Sequence, residues 1–265
     1  MRFDIRLYKI VAHRGLHNMK KGIPENSIGA FEQAARRGLA IELDIHLTLD
    51  KKLVVFHDYN LKRMTGERGL IEEKTYEELT GLRLLETAYG IPLLDEVLDK
   101  IDGRVPVIME IKTELFRGEL EEILWKRLKH YRGEFVIESF NPFSVLWFKK
   151  YAPEVVRGQL ACFYYPEISS VIKRFVLRNM LLNGLTKPDF VAYCVDDLSE
   201  NLRSRLKKKG IGLIAWTVRT KEEAVKAMAL CDGLIFEDIA IEELRNIEEE
   251  AAEKVKSDMP PVSGS

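Results

Sequence analysis

With 265 residues, 46% of them hydrophobic, the chain can build one large core, and its length fits a single α/β barrel as well as two small domains. Its 41 basic residues nearly balance 42 acidic ones, for a formal charge of −1, so no global field favours nucleic acid or an anionic membrane. The start carries charges without an apolar leader core, no run nears the ~18 apolar residues of a membrane span, and Cys162, Cys194 and Cys231 are too scattered for a disulfide framework; a cytoplasmic protein with buried free thiols is expected.

Nine stretches in chain order have strand character: 9–14, 40–47, 52–58, 105–112, 134–140, 155–161, 190–195, 211–218 and 232–238. Amphipathic helical patterns lie between most of them. "ENSIGAFEQAARRG" offers Asn26 or Ser27 as N-cap and Gly38 as a stop, and "NPFSVLWFKKYA" has Pro142 in its first turn. Repeated βα units of this length predict a parallel sheet closed into a (β/α)₈ TIM barrel. The ninth strand is accounted for by the short link "TLDK" between 40–47 and 52–58. A parallel crossover needs about a dozen residues, so these two stretches should form an antiparallel hairpin on the second barrel strand, with His57 close to Asp44. A small insertion covers about 59–100, one barrel domain covers 1–250, and 251–265 reads as a disordered tail.

The chemistry of such a barrel sits at the C-terminal ends of its strands. Those ends carry His13-Arg14, Glu42-Leu43-Asp44, His57-Asp58, Glu110-Ile111-Lys112, Ser139-Phe140 and Trp216-Thr217. Strand alternation puts Glu42 and Asp44 on one face, and Glu110 and Lys112 on one face. Three neighbouring carboxylates repel one another unless a divalent cation joins them, and an all-oxygen set suits Mg²⁺, Ca²⁺ or Mn²⁺ over zinc. Two histidines and two fixed cations around that metal suit a phosphate ester. Singly, each of these residues is better explained as a capped, paired or solvated strand end; together at one barrel rim they outweigh that explanation. His46 reads as a neighbour of the site or as hairpin surface. Capping explains Asn26, whereas Glu25 has no structural need that the sequence reveals.

The ordered elements "AHRG", "PENS", "ELDIHLTLDKKLVVFHD", "IPLLDEVL", "MEIK", "ESFNP", "AWTV" and "DGLIFED" resemble the glycerophosphodiester phosphodiesterase family over residues 9–238. The resemblance implies a TIM barrel that hydrolyses a small glycerophosphodiester to sn-glycerol 3-phosphate and an alcohol. It implies Glu42, Asp44 and Glu110 as ligands of one divalent cation, and His13 and His57 as the acid–base pair. Arg14 and Lys112 would hold the phosphate, Glu25 would help shape the metal and glycerol site, and Trp216 with Phe140 would line its wall. Two departures stand out: Arg219 where the family often has Asn, and "DGLIFED" where it commonly reads like "DGIITD". A lysophospholipase D-like or cyclising phosphodiesterase would use the same residues on a lyso-lipid. A non-catalytic phosphodiester-binding barrel is the rival from another class, against which the paired histidines argue. The aromatic, basic stretch 162–187 reads as an ordinary helix packed on the barrel, the sharper alternative being an entrance that meets a lipid-like substrate or a membrane surface.

Overall fold

The computed structural model describes residues 4–113, 116–163 and 171–257. All nine predicted strands form: β1 (Ile10–Ala12), β2 (Ala40–Leu47), β3 (Leu53–Val55), β4 (Val107–Ile111), β5 (Phe135–Ser139), β6 (Arg157–Ala161), β7 (Phe190–Cys194), β8 (Gly212–Val218) and β9 (Gly233–Phe236). Eight of them run parallel and close into a barrel through the β1–β9 and β1–β2 pairings. β3 is the surplus strand, antiparallel to the upper half of β2. The length of β2 explains how it serves three neighbours: Ala40 and Ile41 pair with β1, while Ile45 to Leu47 pair with β3 along the same edge. The register differs by one from the expected hairpin. Ile45 faces Val55, and the Phe56 amide donates to the Asp44 carbonyl at 3.0 Å, so Phe56 rather than His57 stands opposite Asp44.

Period-two alternation separates two apolar layers. Ile41, Leu43 and Ile45 on β2, and Val107, Met109 and Ile111 on β4, pack outward against the helices. Val11, Ala40, Ile108, Val136, Leu160, Ile214 and Ile235 point inward and plug the barrel together with Phe190. Gly158 makes room for that plug, because a Cβ there would stand 2.3 Å from the Phe190 ring. Above the plug the inward positions turn polar. Glu42, Asp44, Glu110 and Glu138 continue the inward rows of β2, β4 and β5, and β4 and β5 pair Glu110 with Glu138.

The insertion after the hairpin packs around its own apolar cluster of Val54, Phe56, Leu61, Met64, Ile71, Leu79, Leu84 and Ile91. It returns to the barrel through the helix Leu94–Ile101. The C-terminal helix runs Ile241–Ser257, so residues 251–257 continue it and are not a disordered tail; 258–265 lie outside the described residues. None of the three cysteines is in a disulfide, and all are half-buried, less covered than their apolar surroundings suggested. Within the described residues no helix is long and apolar enough to cross a membrane. Part of the 162–187 stretch, residues 164–170, lies outside the description; the helix Val171–Arg178 that follows leaves Val171, Ile172 and Phe175 exposed, so the expected packing does not cover this face.

Candidate active site

The "HRG" motif builds the first wall. After β1 the chain turns through Arg14 at φ +54° and Gly15 at φ +77°. A side chain at Gly15 would collide with the Ala30 backbone at 2.8 Å, so only glycine lets the helix Ile28–Arg36 press this close. The turn aims the Arg14 amide at Glu42, to which it donates at 2.9 Å, while the guanidinium donates from Nη1 to Glu25 at 2.7 Å.

Glu42, Asp44 and Glu110 are buried, and one oxygen from each lies within 4.8 Å of the other two. Burial and the neighbouring carboxylates push Glu42 well above its ordinary pKa, with Arg14 opposing. Burial acts in the same direction on Asp44, but Lys112, His57 and Arg14 outweigh it and hold this carboxyl well below the usual range. Glu110 is raised by burial, against the pull of Lys112. Lys112 Nζ spans the pair, 2.8 Å from Glu110 and 3.1 Å from Asp44. The ammonium therefore meets two of the three buried carboxylates, and Glu42 has the Arg14 amide instead. The remaining mutual repulsion and the all-oxygen donor set fit a divalent cation.

Two histidines flank this triad, and each has a carboxylate behind it and an arginine behind the carboxylate. His13 Nδ1 lies 2.5 Å from Glu237 Oε2, and Arg219 Nε donates to Glu237 Oε1 at 2.6 Å. His57 Nδ1 lies 2.6 Å from Asp58 Oδ1, and Arg63 donates twice to Asp58, at 2.6 and 2.9 Å. Each carboxylate fixes the proton on Nδ1 and leaves Nε2 for chemistry. His13 Nε2 is 4.0 Å from Glu42. Burial lowers the His13 imidazole to about 4 despite the opposing pull of Glu237. Burial raises Glu237, but its bonds to His13 and His17 prevail and hold it far below the carboxylate range. A neutral imidazole beside an ionised carboxylate is the resulting state at neutral pH.

A pocket of about 180 Å³ opens over the triad. Its lining includes His13, Arg14, Glu42, His57, Glu110, Lys112, Phe140 and Trp216, eight of the ten residues singled out in the sequence. Phe140 and Trp216 meet edge to face with centroids 5.4 Å apart, forming the apolar wall. The other two sit behind the lining. Asp44 is almost fully buried, and Glu25 is gripped by Arg14 and by two bonds from Arg63, at 2.7 and 3.0 Å, which supplies the structural need the sequence did not show.

Several partners were not legible as site residues. Ser27 caps the helix, accepting from the Ala30 amide at 3.2 Å. That frees Asn26, at φ +53°, to donate to Asp44 Oδ2 at 2.8 Å, so its expected role as a cap is replaced by orientation of the triad. His46 is fully buried, with Nε2 3.3 Å from the His57 carbonyl and Nδ1 3.4 Å from Glu72; it supports the hairpin and is not among the triad. Glu138 shares the pocket floor, where burial and nearby Glu110 and Asp44 push it well above its ordinary pKa. Glu237 had a usable signal, since it lies two residues beyond the inward Ile235 and so falls on the same face.

Residues 13–241 match the model of the glycerophosphoryl diester phosphodiesterase family. A glycerophosphodiester phosphodiesterase of Caldanaerobacter subterraneus subsp. tengcongensis is 35% identical over 245 residues, covering 86% of this chain and 93% of that protein. A human lysophospholipase D is 35% identical over a shorter stretch of 120 residues, 40% of this chain and 37% of that one. Among solved structures, an Oleispira antarctica phosphodiesterase in complex with the product sn-glycerol-3-phosphate superposes with a TM-score of 0.74 at 22% identity, over 92% of this chain and 96% of that one. A glycerophosphodiester phosphodiesterase from Thermotoga maritima superposes with a TM-score of 0.67 at 23% identity, over 96% of this chain and 100% of that one. With a family match across most of the barrel and a one-third-identical relative along nearly its whole length, the chain belongs to the glycerophosphodiester phosphodiesterase family.

Proposed function

We propose that this protein is a metal-dependent hydrolase that cleaves small glycerophosphodiesters to sn-glycerol 3-phosphate and an alcohol. The observation that carries the reading is the meeting, in one pocket, of a buried carboxylate triad with two histidines that each have a carboxylate behind Nδ1. Glu42, Asp44 and Glu110 would hold one divalent cation, Mg²⁺ or Ca²⁺ with Mn²⁺ as an alternative. When bound, that ion polarises a phosphoryl oxygen. Arg14 and Lys112 place fixed positive charge at the pocket floor, where phosphate oxygens would lie. One histidine takes a proton from the nucleophile through Nε2, and the other protonates the leaving alkoxide. The nucleophile is water or the substrate's own 2-hydroxyl, the latter giving a cyclic phosphate that water opens. A substrate lacking the 2-hydroxyl separates the routes, because undiminished turnover excludes the cyclic one. Three cysteines outside any disulfide suit a reducing, cytoplasmic setting.

The test is release of glycerol 3-phosphate from glycerophosphocholine and glycerophosphoethanolamine. It is run with EDTA, with Mg²⁺, Ca²⁺ or Mn²⁺ restored, and with His13→Ala. Metal-dependent release that the substitution abolishes is expected. Turnover of detergent-solubilised lysolipid alone would transfer the assignment to a lysophospholipase D-like activity, and no turnover of either substrate with any metal would leave a binding barrel.

A further inference from the structure

Large exposed apolar side chains are unevenly distributed over this molecule. Fifteen occur among the described residues, and eight of these fall within residues 140–187. The same stretch holds seven Lys and Arg against two Glu, a net charge of +5 in a chain whose total is −1. Scattered exposed hydrophobics need no explanation, but a cluster of them within a cationic stretch does.

Part of the cluster stands at the pocket end of the barrel, whereas Tyr151, Leu181 and Leu185 lie toward the opposite end, where Lys149 meets Leu185. Phe116 follows β4, Phe143 follows β5 and Phe163 follows β6, so all three stand at the C-terminal end of the barrel, where the pocket opens. Phe116 and Phe143 meet with ring centroids 6.0 Å apart. The helix Val171–Arg178, in the β6–β7 connection, leaves Val171, Ile172 and Phe175 exposed by 70, 77 and 59%. Spacings of three and four residues align these three along one side of the helix. Arg178 lies over the Phe163 ring at 3.5 Å, joining a cation to the apolar row. Lys149 donates to the Leu185 carbonyl at 2.5 Å, tying the helix Pro142–Tyr151 to the segment beyond the exposed helix.

We propose that this rim docks on the surface of an anionic lipid bilayer, so that the pocket mouth faces the membrane. A short amphipathic helix with exposed aliphatic and aromatic residues interleaved with Lys and Arg has the composition of an interfacial helix. Juxtaposed cations give it an attraction to anionic headgroups that a neutral surface does not supply. The exposed helix Val171–Arg178, VIKRFVLR, carries three basic and no acidic residues, which a protein partner of neutral or basic character would leave uncompensated. The docking does not depend on which diester the site cleaves, since its test reads binding and not turnover.

The full chain is sedimented with vesicles of phosphatidylcholine alone and of phosphatidylcholine mixed with phosphatidylglycerol, at low and at physiological salt. Binding to the mixed vesicles alone, weakened by salt, is expected. Ile172→Glu combined with Phe175→Glu should lower the partition by about a hundredfold, and Phe143→Ser, an independent change on the neighbouring connection, by about tenfold. Turnover of soluble glycerophosphocholine and the melting temperature should match the unsubstituted protein in both variants, which certifies their fold. Absence of binding to the mixed vesicles, or binding undiminished in the variants, overturns the proposal. A concentration-dependent dimer in sedimentation velocity that the same substitutions abolish would also overturn it, by assigning the rim to a second copy of the chain.

Discussion

Glu237→Gln tests the acid–base assignment at the carboxylate behind His13. The substitution keeps the shape of the side chain and removes its charge. The amide oxygen can still accept from His13 Nδ1, so what is lost is the charge assistance of a 2.5 Å contact between a partly buried imidazole and a partly buried carboxylate. Hydrogen bonds to charged groups contribute about 1.5–3 kcal/mol, roughly double a neutral pair. If that difference, about 0.75–1.5 kcal/mol, acts on the imidazolium formed during proton transfer, kcat should fall by about 4- to 12-fold, at 1.36 kcal/mol per decade. KM should stay within about twofold, because Glu237 stands behind His13 and does not line the pocket. Arg219 loses its partner as well, but that guanidinium is half exposed, and the loss should contribute little. Steady-state kinetics on glycerophosphocholine give both parameters. A Glu237→Gln enzyme with unchanged kcat would refute the reasoning, since His13 would then need no carboxylate to take or give its proton.

Three further outcomes follow from the same geometry. Asn26→Ala leaves Asp44 Oδ2 without its amide donor and should weaken metal affinity by about 10- to 100-fold, read by calorimetric titration of the EDTA-stripped protein. Arg63→Met breaks the bridge between Asp58 and Glu25, whose carboxyls lie below their ordinary range because bonds from Arg63 help to outweigh burial. Carboxyls depressed in the folded state stabilise it above their unfolded pKa values and lose that contribution as pH falls through the folded ones; the melting-temperature gap between wild type and Arg63→Met should therefore be widest near neutral pH and close in acid. Stripping the metal should lower the melting temperature, by about 5–10 °C relative to protein at a hundredfold excess of ion over its dissociation constant, since that excess contributes about 2.7 kcal/mol.

Barrel, hairpin and most of the pocket lining were legible because they obey local rules. Strand alternation alone carries Glu42, Asp44 and Glu110 inward, and a four-residue link forces the β2–β3 hairpin. The partners behind the histidines are a different matter. Glu237 is 224 residues from His13, and nothing local to either side chain encodes their meeting. Arg63 reaches Asp58 and Glu25 only because the insertion folds back over the rim, and Asn26 was concealed by a plausible local duty that Ser27 performs instead. The two departures from the family pattern, Arg219 and the "FED" ending of β9, turn out to pair with each other through Glu237, so what looked like two unrelated changes is one contact. The helix Val171–Arg178 misled for a general reason: periodicity shows that a helix has an apolar side, not that anything covers it.

The two histidines are mounted on separate foundations. His13 stands at the end of β1, a strand embedded in the closed barrel, whereas His57 follows the hairpin strand whose neighbours form the insertion's own apolar cluster. Regions with small independent cores open at lower free energy than the body they sit on. Warming should therefore carry His57 and Arg63 away from the rim while Glu42, Asp44 and Glu110 remain in place on β2 and β4. Such a molecule would stop turning over several degrees before it unfolds, and through that interval it would still hold its metal.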